Sequence, residues 1–402
     1  MNGVLPGAMA IVRRLEEEGR EGVLAGGAVR DLLCGLSPSD ADIATDAPLV
    51  ELVPLFPGGK LIGPAGKQVL LLPLDGGKCE VFSYAGGALK DDLSRRDFTV
   101  NALALRRTGE IIGSRRALAD ASARVLRFNG PAGERLGEDP VRALRLARLA
   151  AVLPGFAVDP AALSACREHR TSPGGCAPER VGREIRLGLG GRADVFLEML
   201  KKCRLLDELF PGMLTREFEF SRLRTIAAGL ANEGAPLAVR AAAVFSSIRV
   251  TASPEEEAVR AEASVGAWRW PGSLASETAG LVQNRRLPLE APDPDRLAAL
   301  FEGRGSCFMD NLFSLARWLC VNDTHRRRWG ENRMIYVSMA VRALRDDVLP
   351  SGEDIMEKFS LEPGPVVGEL ANALKMRRIK DGFDSKEDAL QFLDKLLKRF
   401  RS

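Results

Sequence analysis

Histidine is almost missing from this chain, which has two, His169 and His325, in 402 residues. That excludes a histidine-rich metal phosphohydrolase site. Cysteine is sparse and unpatterned. The seven thiols, at positions 34, 79, 166, 176, 203, 307 and 320, show no C-x-x-C spacing. This argues against a zinc site and a disulfide framework, and fits a reducing cytoplasm. No apolar run approaches a membrane span, and the opening residues carry no signal-peptide pattern. A strong charge of either sign is lacking too. The formal net charge of +3 permits a nucleic-acid partner without demanding one, so an RNA site must come from local clusters. What remains is ordinary globular chemistry, 46% hydrophobic and 28% charged. The length calls for about two to four domains.

The signals along the chain change character once. Residues 8–20, "AMAIVRRLEEEGR", read as an opening helix. Mixed strand and helix signals run to about residue 112, with "VLAG", "ADIATD", "KQVLLLPL", "KCEVFSY" and "NALALRRTGEII" as strand candidates. Beyond about residue 117 the strand signals fade. Stretches such as "DPVRALRLARLAAVL", "PERVGREIRLGL" and "ADVFLEMLKKCRLLDELF" have helical periodicity, punctuated by Pro or Gly. The prolines of "RLPLEAPDPDR" (286–296) mark the clearest linker. These signals predict an α/β head followed by a long helical body.

One early run, "VLAGGAVRDLLCGLSPSDADIATDAP" (23–48), concentrates chemistry. An apolar strand is broken by Gly26 and Gly27, and a helix follows with Val29, Leu32, Leu33 and Leu36 on one side. Strand, glycine turn and helix start make a place for an anion, because free N–H groups and the helix dipole point the same way. The glycines admit a phosphate, and Arg30 adds a charged donor. If "SDADIATD" is a strand, Asp40 and Asp42 project from one face. Two such carboxylates repel unless a cation lies between them, and hard oxygen ligands favour Mg²⁺. Each piece alone has a plain structural reading as a turn or a loop cap. In this order and spacing they point to metal-dependent chemistry on a nucleoside triphosphate.

Two further clusters follow. In "DDLSRRDFTVNALAL" (91–105), Arg96 suits a triphosphate, and Asp97 or Asn101 suits a ribose hydroxyl; the plain alternative is a helix start capped by Asp97. In "EDPVRALRLARLA" (138–150), Asp139 and Pro140 make a good helix start. Arg142, Arg145 and Arg148 then wind round the helix. A solvated basic edge explains that stripe, but Asp139 and Arg142 one turn apart have a sharper use. Arg offers a planar fork and Asp accepts from an exocyclic amine, so together they present a base edge with hydrogen-bonding partners.

The whole pattern resembles the class II tRNA nucleotidyltransferases and bacterial poly(A) polymerases, a branch of the DNA polymerase β-like nucleotidyltransferases. The matching pieces are "GGAVRD" (26–31), "DAD" (40–42), "RRDFTVNA" (95–102), "EDPVR" (138–142) with "LRLARLAA" after it, and "PERVGRE" (178–184). The resemblance implies an α+β chain, with a polymerase β-like head of mixed sheet and helices followed by an all-α neck, body and tail. It places the head at 1–116, the neck at 117–185, the body at 186–290 and the tail at 291–402. It assigns Asp40 and Asp42 to Mg²⁺, and the glycine turn (Gly26, Gly27), Arg30 and Arg96 to the triphosphate. Asp139 and Arg142 would read the incoming base, with Arg145 and Arg148 in support. Glu80, in "KCEVF", is a secondary candidate for a third acid. The implied partners are tRNA, CTP and ATP, in the cytoplasm and away from any membrane.

Three features bear on the member of the family. The stretch 351–393 looks like the tail of tRNA nucleotidyltransferases, whereas the poly(A) polymerases carry a strongly basic extension. "LIGPAGKQVLLLPL" lacks the "G-[RK]-[RK]-F" of poly(A) polymerases. Only "AGGALK" (85–90) separates "EVFSY" from "DDLSRRD", where CCA-adding relatives have a longer flexible loop. The CC-adding subclass is therefore preferred, with CCA-adding, A-adding and poly(A)-adding activities as alternatives. The chain also departs from the family's pattern: the Arg after the "EV-x-x-F" strand is absent, Ala41 stands between the aspartates, and "IIGSRR" replaces "IIDP". An inactive RNA-binding scaffold and a small-molecule nucleotidyltransferase share parts of the pattern. The intact Asp40, Asp42 and Arg30 oppose the first, and the EDPVR segment with its long helical body opposes the second. Local basic runs, "HRRRW" (325–329) and "KMRRIK" (375–380), are candidates for phosphate contacts with RNA.

Overall fold

The computed structural model describes residues 3–64, 66, 68–84, 87–168, 175–211, 217–247, 253–344 and 348–401. Its contacts divide the chain into two units, Met1–Pro211 and Gly212–Ser402. The first begins with α1 (Val4–Glu17), whose Val4, Ala8, Ile11, Val12 and Leu15 make one buried helical stripe. Next come β1 (Gly22–Ala25), α2 (Gly27–Leu33), β2 (Asp40–Thr45), α3 (Leu49–Leu55), β3 (Lys60–Ile62), β4 (Val69–Leu74) and β5 (Gly77–Ser83). After α4 (Leu89–Arg95) the sheet is completed by β6 (Leu103–Leu105) and β7 (Ile111–Gly113). The sequence run "NALALRRTGEII" is thus two short strands joined by a turn, and β3 carried no strand signal. The strand order is β3-β4-β5-β2-β1-β6-β7, antiparallel throughout except for the parallel pair β2–β5.

The sheet is covered on both faces, which is why all four residues of β1 are buried. Leu24, Ala41, Ile43, Cys79 and Val81 face a core with α1, α2, α3 and the helix α5 (Arg115–Ala123). Val23, Ala25, Ala44 and Ala104 face Leu89 and Leu93 of α4. Period-two alternation therefore puts Asp40 and Asp42 on the α4 side of β2. The register sets Asp40 beside Lys78 and Asp42 beside Glu80.

Beyond the head, β8 (Val125–Leu126) pairs in parallel with β9 (Ala157–Val158), a small sheet that the fading strand signals did not show. Between and after them run α6 (Ala132–Glu138), α7 (Val141–Val152), α8 (Pro160–Glu168), α9 (Pro178–Gly190), α10 (Ala193–Lys202) and α11 (Leu206–Leu209). Helices α7, α9 and α10 pack mutually through Leu144, Leu146, Ile185, Leu189, Phe196 and Leu200, all fully buried. Gly188 lies flat on Phe196; a Cβ there would sit 2.4 Å from the ring.

The second unit is helical: α12 (Glu217–Asn232), α13 (Leu237–Phe245), α14 (Pro254–Ala267), α15 (Gly272–Asn284), α16 (Pro294–Leu319), α17 (Asp323–Ala343), α18 (Gly352–Phe359), α19 (Pro365–Lys380) and α20 (Lys386–Arg401). Gly305, at φ 78° and ψ 174°, breaks α16. The last three helices share their own core of Ile355, Leu370, Leu374, Phe383 and Leu393. Of residues 286–296, 287–289 are packed while 290–296 are exposed. Leu287, Pro288 and Leu289 are buried, and the buried Asn332 amide donates to the carbonyls of Pro288 and Glu290. No helix among the described residues is long and apolar enough to cross a membrane. All seven cysteines are free.

Candidate active site

A cleft of about 530 Å³ opens in the first unit, and every site residue expected from the sequence lines it. One wall comes from the sheet. Gly26, between β1 and α2, has φ 72° and ψ −131°. A Cβ there would lie 2.9 Å from Arg96 Nη1 and 3.5 Å from Asp42 Oδ2. Only glycine allows this backbone and lets a cation and an anion close on the turn.

Asp40 is exposed and Asp42 is half-buried on the same face of β2. Burial pushes the Asp42 carboxyl up to about 6; Arg96 pulls it down, while Glu80 and Asp40 push it further up. The strand thus holds excess negative charge in a partly dry place, the donor set a hard divalent cation neutralises. Mg²⁺ commonly takes one or two carboxylates and completes its shell with substrate phosphates and water, so two aspartates fit it. Among the described residues no three His, Cys, Asp or Glu side chains converge as a metal cage. Glu80 lines the same cleft, and its carboxylate accepts from Lys78 Nζ at 3.0 Å.

The arginines are tied down. Arg96 donates through Nε and Nη2 to Asp92 at 3.1 and 2.9 Å and lies over the Phe82 ring at 5.3 Å. Arg30 is buried. It donates Nε and Nη2 to Asp31 Oδ1 at 2.9 and 2.7 Å, and Nη1 to Asn101 Oδ1 at 2.6 Å. Three of its five donors are spent, and two remain for a ligand. Asn101 donates in turn to Asp97 Oδ1 at 3.0 Å. Asp97 also accepts from the Phe98 N–H at 2.8 Å and from Arg145 Nη1 at 2.7 Å. Burial raises the Asp97 pKa, but Arg145 and these hydrogen bonds outweigh it and hold the carboxyl below its usual range. Asp97 and Asn101 thus brace α2 against α7, with Asp97's acceptors largely committed.

The other wall is α7 and α9. Asp139 stands between α6 and α7 with extended backbone, and its Oδ1 accepts from the Val141 N–H at 3.3 Å; the N-cap of α7 falls on Pro140, one residue later than the sequence predicted. Its Oδ2 is held by Arg180 of α9 at 2.5 Å. Arg142 donates Nη1 to the Arg135 carbonyl at 2.8 Å and to Glu138. Asp139 and Arg142 both face the cleft without bonding each other, so each is held by a third group. Arg145 and Arg148 converge on Glu184 of α9, Nε to Oε1 at 3.1 Å and Nε to Oε2 at 2.6 Å. Burial opposes the charge on Arg145, but Asp97 and Glu184 raise its pKa regardless; Arg148 is lowered by burial despite Glu184. Glu184 is the residue the sequence reading missed. It closes the quoted "PERVGRE" run, and the one signal was a carboxylate on the apolar face of an amphipathic helix, between Val181 and Ile185. Asp31 and Asp92, the partners of Arg30 and Arg96, were missed as well.

A glycine turn, paired strand carboxylates and an opposed Asp–Arg wall thus share one cleft. Over the full length of both chains the structure matches the Bacillus stearothermophilus CCA-adding enzyme in complex with CTP, TM-score 0.74 at 24% identity. It also matches the Thermotoga maritima CCA-adding enzyme complexed with tRNA, TM-score 0.63 at 18% identity, over 98% of this chain and 95% of that one. In sequence, the chain is 39% identical over 213 residues to a CC-adding tRNA nucleotidyltransferase of Shouchella clausii, covering 53% of this chain and 56% of that protein. It is 26% identical over 400 residues to a CCA-adding enzyme of Pediococcus pentosaceus, 95% and 96% of the two chains. The match to the CC-adding relatives spans about half their length. No protein-family model matches the chain. In fold and in sequence the chain is thus similar to proteins named as CCA-adding and CC-adding tRNA nucleotidyltransferases.

Proposed function

We propose that this protein transfers cytidylate from CTP to the 3′ end of tRNA and stops before the terminal adenosine. The observation that carries transfer is the cleft itself, in which the β2 carboxylates and the Asp139–Arg142 wall face one space. Cytosine and adenine each place an exocyclic amine beside a ring nitrogen acceptor. A carboxylate at Asp139 accepts from the amine and the Arg142 fork donates to the ring edge; uracil and guanine present a carbonyl where the amine would be, and the carboxylate repels it. Gly26, Gly27, Arg30 and Arg96 would receive the triphosphate. Asp40 and Asp42 would hold Mg²⁺, which supplies Lewis-acid activation of the attacking 3′-hydroxyl and neutralises the pyrophosphate leaving group. The chain's own part is positioning, with Asp97, Asn101 and Glu184 holding the arginines at fixed distances.

The preference for CC addition rests on one connection. Strand β5 ends at Ser83 and α4 begins at Leu89, with Ala85 and Gly86 outside the described residues. So short a link has no reach to shift the base-reading wall for a larger purine. Relatives named for CC addition and for CCA addition both match the chain, so the family alone leaves this step to experiment. We assign the head to 1–116, the neck to 117–185, the body to 186–290 and the tail, with tRNA contacts, to 291–402. A tRNA substrate and seven free thiols suit the cytoplasm. The test uses tRNAs ending before C74, after C74 and after C75, with CTP and ATP supplied separately. Two cytidines and no adenosine are expected; efficient ATP incorporation onto C75 without CTP overturns the CC-adding reading.

A further inference from the structure

Helix α9 also presents Arg183 and Leu187 to the cleft. Arg183 is exposed and Leu187 is 39% exposed, and both line the cleft. They lie four residues apart, so they are neighbours on one helix face. The other guanidiniums of this wall that line the cleft have carboxylates: Arg142 has Glu138, Arg145 has Asp97 and Glu184, and Arg148 has Glu184. Among the described residues no carboxylate pairs with Arg183.

We propose that Arg183 and Leu187 form the seat of the RNA acceptor's last nucleotide, Arg183 on its phosphate and Leu187 against the face of its base. This rests on the nucleotidyl-transfer reading. The incoming nucleotide already has its contacts, with the triphosphate at the glycine turn and the base at Asp139 and Arg142. Transfer needs a second nucleotide in the same cleft, whose 3′-hydroxyl reaches the β2 carboxylates. The guanidinium of Arg183 matches one phosphodiester charge. An apolar side chain suits this seat for a chemical reason. After each addition the terminal base changes, and an apolar contact accepts any base face, whereas a hydrogen-bonding group selects one.

The experiment compares the unaltered protein with Arg183→Ala, Arg183→Lys and Leu187→Ala. It measures CTP affinity without RNA, and KM and kcat for a tRNA lacking its CCA end at several salt concentrations. For Arg183→Ala the expected result is about a tenfold loss in kcat/KM for tRNA, from loss of a charge-assisted contact, with CTP affinity unchanged. The salt slope should fall by about one unit. Arg183→Lys should restore the slope and part of the rate, since the charge is kept and the fork is lost. Leu187→Ala should lower kcat for tRNA with the salt slope intact. Weakened CTP binding in RNA-free Arg183→Ala overturns the proposal in favour of a nucleotide contact, and unchanged tRNA kinetics overturns it outright. No transfer by the unaltered protein overturns the proposed function and this inference together. Transfer by the unaltered protein with an indifferent Arg183→Ala removes the inference alone.

Discussion

Replacing Asp42 by Asn should stabilise the metal-free head while abolishing transfer. Asp42 titrates ordinarily near 3.8 and in this fold near 6. A difference of about two units corresponds to about 3 kcal/mol between the two protonation states. The unfolded chain releases this proton near 3.8, and the folded head keeps it to about 6. Between those values the folded state binds more protons, so stability falls as pH rises, and above 6 the whole cost is carried. Asn has no proton to lose. The gain from Asp42→Asn should therefore be near zero at pH 4 and approach about 3 kcal/mol at pH 8 in a chelator. The four tryptophans, Trp268, Trp270, Trp318 and Trp329, lie in Gly212–Ser402, so their fluorescence reports the second unit. The readout should instead be native-state hydrogen exchange in peptides covering β1, β2 and β5. Millimolar Mg²⁺ should then erase the difference by binding the unaltered protein alone. A stability difference that stays flat between pH 5 and pH 8 would refute the reasoning.

Glu184→Gln should cost about 3 kcal/mol by leaving Arg148 without a carboxylate and Arg145 with Asp97 alone. Denaturant unfolding checks this, and a change below about 1 kcal/mol means the arginines find other partners. Gly26→Ala should strain this buried turn, where φ is 72°, and depress transfer strongly by displacing Arg96, whose Nη1 a Cβ would meet at 2.9 Å; normal kinetics in a folded variant would show that the turn tolerates a Cβ. Asp139→Ala should reduce both rate and discrimination of CTP from UTP. If Asp139 were only a cap, the loss would be about 1 kcal/mol of stability with selectivity unchanged.

The glycine turn, the strand aspartates and the Asp139 helix start were legible in the sequence because each is a local pattern, set by residues within one or two turns of chain. Partnership was not legible. Arg30 meets Asn101 across 71 residues, and Arg145 meets Asp97 across 48, separations at which sequence spacing carries no geometry. Arg96 and Arg30 read as open phosphate ligands because their carboxylates, Asp92 and Asp31, read as ordinary helix surface. Prolines in 286–296 signalled a linker, but Leu287 and Leu289 beside them are core residues, and burial won. The basic run 375–380 also changes meaning in three dimensions. Arg377 pairs with Asp381, Lys380 with Asp295, and Arg378 is buried, so among the described residues Lys375 is the cation of this run without a carboxylate. For RNA contact, the tail therefore offers less free charge than its composition advertises.

The hydrogen-bonded line from Arg30 through Asn101, Asp97 and Arg145 to Glu184 sets a rule for recombining this protein with its relatives. A chimaera spliced near residue 116 would take Asp97 from one parent and Arg145 and Glu184 from the other. If the second parent shifts either guanidinium by a single ångström, the graft buries an unanswered charge at the seam. Exchange of modules should succeed only when the donor head arrives with its matching stretch of α7 and α9, so the heritable unit of this site is larger than the domain that bears its carboxylates.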